Sequence, residues 1–103
     1  MIFCRRKCAM NIHVTKDAAA WYKKEYDIDT ASLRFFVRYG GFGGNVPGFS
    51  LGVHLEEPLN THTSIKVNDI LFFVTESDVW YFEDKDLHIS YDEENNEPHF
   101  AYQ

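Results

Sequence analysis

Apolar and polar residues alternate most cleanly between Phe49 and Glu56. Phe49, Leu51, Val53 and Leu55 interleave there with Ser50, Gly52, His54 and Glu56, the period of a strand with one buried face. Leu33-Arg34-Phe35-Phe36-Val37-Arg38-Tyr39 repeats the pattern, with a wholly apolar face opposite one carrying two arginines. Further strands are predicted over 63–67, 70–75, 79–82, 87–91 and 99–102. The turns between them are Asn68-Asp69, Glu83-Asp84-Lys85-Asp86 and the polar run 92–97. Near the start, Asn11-Ile12-His13-Val14-Thr15 alternates as a short strand and leads straight into a helix signal. Thr15 is a suitable N-cap, Asp17 suits the helix dipole, and Ala18, Trp21, Tyr22 and Tyr26 share one face. The spacing predicts a helix over 16–26. One N-terminal helix followed by about six or seven mostly antiparallel strands makes an α+β, mainly β, domain packed as a compact sandwich or half-barrel.

With 103 residues, 45% hydrophobic and 17% aromatic, the chain has material for one modest core. So small a domain buries only about 60% of its unfolded surface, which favours covering part of its aromatic surface with a second copy. The formal charge is −6, and three of the cations, Arg5, Arg6 and Lys7, stand in the first nine residues. Without them 7 basic residues face 16 acidic ones, a net of −9. Nine carboxylates and only one lysine, Lys85, lie between Glu76 and Glu97. Such a field repels phosphate backbones, so nucleic acid is excluded as a partner. No apolar run approaches the roughly 20 residues of a membrane span, and the first residues lack the apolar stretch of a secretory signal. The expected compartment is the cytosol. Residues 1–9 read as a non-conforming extension, Met10 offers a second start, and 10–103 form the domain.

Chemistry-bearing residues are sparse. Gly40, Gly41, Phe42, Gly43 and Gly44 join two strands instead of leading into a helix, and no Lys-Ser or Lys-Thr pair follows. They read as a hairpin connection and a candidate partner contact, not a phosphate loop. Cys4 and Cys8 supply at most half of a four-ligand site. His13, His54, His62, His88 and His99 form no helical ligand pair; His54 and His88, on the polar faces of their strands, are the metal candidates. No G-x-S-x-G elbow is present. An enzyme or small-molecule module built around the glycine loop ranks below a binding role, and no cofactor is implied.

The order of elements resembles the HesB/IscA-like proteins, the A-type iron–sulfur carriers. Ile12-x-x-Thr15-x-x-Ala18 opening the helix is similar to their start. Leu33-Arg34-Phe35-Phe36-Val37 running into Gly40-Gly41 resembles their next strand and loop. Val46-Pro47-Gly48-Phe49-Ser50-Leu51, continuing to Glu57-Pro58, resembles their Cys-Ser-Gly segment, and Asn68-Asp69-Ile70-Leu71-Phe72-Phe73-Val74 their late hairpin. The family's first cysteine falls at Val46, or at Phe42 with another gap, and its closing Cys-Gly-Cys is absent. The resemblance therefore implies the fold, a bacterial and cytosolic setting, self-association, and a protein partner in iron–sulfur assembly, without the carrier chemistry. The function so implied is a non-enzymatic accessory domain; the alternative is a metal-binding protein using histidines and carboxylates in place of thiolates.

Overall fold

The computed structural model describes residues 10–41 and 44–103; the expectations for residues 1–9, including Cys4 and Cys8, and for Phe42 and Gly43 lie outside them. Strand β1 (Ile12–Val14) leads into helix α1 (Lys16–Glu25). The helix begins where expected because Thr15 Oγ1 accepts the Ala18 amide at 3.2 Å, a cap worth about 1 kcal/mol. Then follow β2 (Ala31–Tyr39), β3 (Phe49–Leu55), β4 (Thr61–Val67), β5 (Ile70–Thr75), a 3-10 segment (Glu76–Phe82), β6 (Leu87–Asp92) and β7 (Glu97–Tyr102).

The strands form two sheets, one of three strands in the order β1-β6-β7 and one of four in the order β3-β2-β5-β4. Both are mixed. β1 runs parallel to β6 and β2 parallel to β5, while the three remaining pairings are antiparallel. The HesB-type sandwich of the sequence reading is corrected here: most pairings are antiparallel, but each sheet is held together by a parallel pair between strands far apart in the chain. The seven strands and single α-helix among the described residues remain consistent with an α+β domain. The predicted strand at 79–82 is the second correction. Tyr81 and Phe82 are both buried although consecutive, which a pleated strand does not allow on one face, and the backbone coils as a 3-10 turn.

The inner faces meet in one core. Leu33 and Phe35 of β2 and Ile70, Phe72 and Val74 of β5 pack with Ile12, Val14, Leu87 and Ile89 of the three-stranded sheet. Helix α1 adds Ala18, Ala19 and Tyr22; the Tyr22 ring meets Phe72 edge-on at 5.6 Å and Phe35 at 6.3 Å. Among the described residues no helix is long and apolar enough to cross a membrane.

Neighbours in sequence thus have opposite fates. Phe35 lies fully inside, whereas Phe36 projects from the other face and stacks on His54 at 4.4 Å. Phe35→Ala should cost about 3–5 kcal/mol in urea unfolding, and Phe36→Ala clearly less. Equal losses would show that the faces are assigned wrongly.

Candidate functional site: an aromatic platform beside the glycine loop

β2 ends and β3 begins with an aromatic cross-strand pair, Tyr39 opposite Phe49, ring centroids 5.7 Å apart and nearly perpendicular. Trp80 of the 3-10 segment packs edge-on against Phe49 at 5.2 Å. Tyr39 is 89% exposed and Trp80 48%. The platform is built, not loose. Gly40 donates to the Gly48 carbonyl at 2.7 Å, closing the hairpin, and both take positive φ, +99° and +87°, as glycine does readily. Farther along, the Asn45 amide donates to Tyr81 Oη at 2.7 Å and its side-chain Nδ2 donates to the Tyr81 carbonyl at 2.8 Å. A Cβ on Gly44 would collide with the Tyr81 hydroxyl and the Phe49 carbonyl. Gly44 is therefore there for close approach to protein. Val46, where the resemblance places a cysteine, is a half-buried apolar residue packed on the core.

The opposite face of the four-stranded sheet carries a polar clamp. Arg34 Nη1 donates to both Glu56 oxygens, at 3.2 and 3.1 Å, and Nη2 to Asp78 at 2.8 Å and Thr75 at 3.2 Å. Asp78 is buried, so the pair fastens the 3-10 segment to β2. Arg34, Glu56 and Thr75 border an open cleft of about 530 Å³ with Leu59, Asn60, Glu76 and Ser77. Its single arginine is already shared by two carboxylates, so the cleft is no ready anion site.

The structure separates the two sequence-predicted histidines. His54 Nε2 donates to Glu56 Oε1, 2.6 Å away, on the four-stranded sheet. His88 lies on the three-stranded sheet, stacked on His13 at 4.5 Å. His62 contacts Glu76 at 3.2 Å, and His99 of β7 pairs with Ser90. What sequence reasoning missed is the exposed Trp80, within the stretch it predicted as a strand over 79–82, and the Arg34–Asp78 pair. No local pattern marks either, since 44 residues separate Arg34 from Asp78.

Glu56 is held below its ordinary value of 4.5, first by the His54 hydrogen bond and then by Arg34. Its contribution to stability is therefore present above that value and is lost as pH falls through its lowered folded-state pKa. Melting temperature followed from pH 6 to pH 3 should decline less steeply in Glu56→Gln than in the wild type. Parallel declines would mean that Glu56 has no such role.

No family model matches the chain, and no solved structure matches it either. Relatives are nonetheless clear. A Bacillus subtilis protein named pyruvate dehydrogenase inhibitor is 45% identical over 95 residues, covering 91% of this chain and 100% of the relative. An uncharacterised Staphylococcus haemolyticus protein is 37% identical over 82 residues, 76% of this chain and 83% of its own. A third, from Staphylococcus saprophyticus, is 31% identical over 96 residues, covering 89% of this chain and 98% of the relative. These findings overturn the HesB/IscA-like resemblance and its iron–sulfur partner. The accessory function drawn from it, and the metal-binding function set beside it, give way with it.

Proposed function

The chain belongs to the family of the Bacillus subtilis pyruvate dehydrogenase inhibitor, and from that premise we propose that it is a non-catalytic regulator that binds a pyruvate dehydrogenase and lowers its activity. The observation that carries the reading is the aromatic platform in which exposed Tyr39 and Trp80 pack on half-buried Phe49. Tryptophan and tyrosine dominate the energetic centres of protein interfaces. Here they stand on a braced hairpin and so lose little freedom when a partner covers them. Gly40, Gly41, Phe42, Gly43 and Gly44 flank the platform in sequence and complete the contact surface in this reading. The net charge of −6 favours a basic rim on the partner and speeds encounter with it. Residues 10–103 serve as the single domain that carries the surface.

The test is a steady-state assay of a bacterial pyruvate dehydrogenase complex with increasing amounts of the full chain. Wild type should inhibit to saturation. Trp80→Ala and Tyr39→Ala should each raise the half-inhibiting concentration at least tenfold, with the circular dichroism spectrum kept. Absence of inhibition by the wild type sinks the proposal. Undiminished inhibition by both variants moves the surface elsewhere, and so does a dimer that Trp80→Ala dissociates.

A further inference from the structure

We propose that His13, His88 and Asp86 bind one divalent transition-metal ion of the zinc class on the outer face of the three-stranded sheet. β1 and β6 run parallel with His13 directly opposite His88. Ile12 and Val14 on one strand and Leu87 and Ile89 on the other are buried, so strand alternation turns both histidines outward. Their rings stack 13° from parallel with centroids 4.5 Å apart, which holds the two imidazoles side by side. Asp86 completes the set. Its Oδ1 accepts the Asn11 amide at 2.9 Å, its backbone is paired with Gln103 in both directions, and its Oδ2 lies 3.6 Å from His13 Nε2.

That separation is informative. It exceeds a hydrogen bond but is close to the spacing of about 3.4 Å between two ligands of a tetrahedral ion with bonds of about 2.1 Å. One ligand atom from each of the three residues lies within 4.8 Å of the other two, so side-chain rotation closes the remaining gap without moving either strand. Two neutral imidazoles and one carboxylate suit zinc and its neighbours and leave further positions for water. Glu83 and Asp84 precede Asp86 in the chain, and their charge raises the local concentration of cations. An ion here clips the three-residue strand β1 onto β6. The site is independent of the aromatic platform and of the inhibitory role.

The experiment titrates zinc, and cobalt for its visible bands, into the full chain carrying Cys4→Ser and Cys8→Ser, which removes thiolate ligands. One equivalent should bind with micromolar affinity and raise the melting temperature. His13→Gln, His88→Gln and Asp86→Asn should each weaken binding at least tenfold, and His54→Gln should leave it unchanged. His13 is half exposed, so its variant keeps the fold and decides the matter if His88→Gln does not. Long-range ¹H–¹⁵N spectra should show zinc shifting the ring nitrogens of His13 and His88 alone. No binding below millimolar zinc overturns the proposal, as does binding that survives in the His13→Gln/His88→Gln chain or is lost in His54→Gln.

Discussion

The Tyr81 phenol is the joint on which the arrangement depends. Its ring is fully buried, and a hydroxyl taken out of water must find partners or cost a few kcal/mol. It finds two. Oη accepts the Asn45 amide from the β2–β3 connection and meets Tyr102 Oη of β7 at 3.3 Å. One atom therefore ties the four-stranded sheet's hairpin to the last strand of the other sheet, by way of the 3-10 segment between them. Burial, and then the bond to Tyr81, push the Tyr102 phenol well above its ordinary range. Because Trp80 precedes Tyr81, whatever fixes Tyr81 also sets the height and tilt of the exposed indole.

A second constraint acts from the far side of the sheet. Arg34 brings Glu56, Thr75 and Asp78 together, so the 3-10 segment is held at its start by charge and near its end by the Tyr81 bonds. The clamp is not perfectly satisfied: Arg34 Nε is buried without a partner among the described residues. Removing Asp78 alone would leave the guanidinium half-paired, a costlier change than replacing the whole cluster with apolar residues. The clamp's value lies in specifying where the segment turns more than in added stability.

Much of the fold was legible because most elements obey one period. β2 sorts buried Leu33 and Phe35 from Arg34 and Phe36 on its other face, and the helix carries its start in Thr15 and its inner face in Ala18 and Tyr22; β3 follows the period less well, for Gly52 is its one buried residue and Leu55 is exposed. The 3-10 segment broke the rule, since Val79 to Phe82 reads as a strand until Asp78 is seen to pair with a residue 44 positions away. The parallel pairings were hidden for the same reason. No local signal places β1 beside β6, so His88 was matched with His54 although its neighbour is His13, 75 residues upstream. The family resemblance failed similarly. It rested on element order and turn chemistry, which many small β-rich domains share, and not on a residue set tied to one chemistry.

The exposed aromatics make physical sense only against this background. A chain this short cannot enclose all of an aromatic content of 17%, so some rings must face water whatever the topology. The core takes those on the inner faces of β2 and β5, where neighbouring strands cover both flanks. The ends of β2 and β3 have less cover, and there Phe49 reaches the core while Tyr39 and Trp80 pack on its ring and stay largely in water. An apolar surface left open in this way invites indiscriminate association. The net charge of −6 opposes contact between copies, while it attracts a partner of opposite sign. Surplus aromatic surface on an acidic body is thus a liability toward its own kind and a grip toward any partner with a basic rim, the combination that the proposed inhibitory role requires.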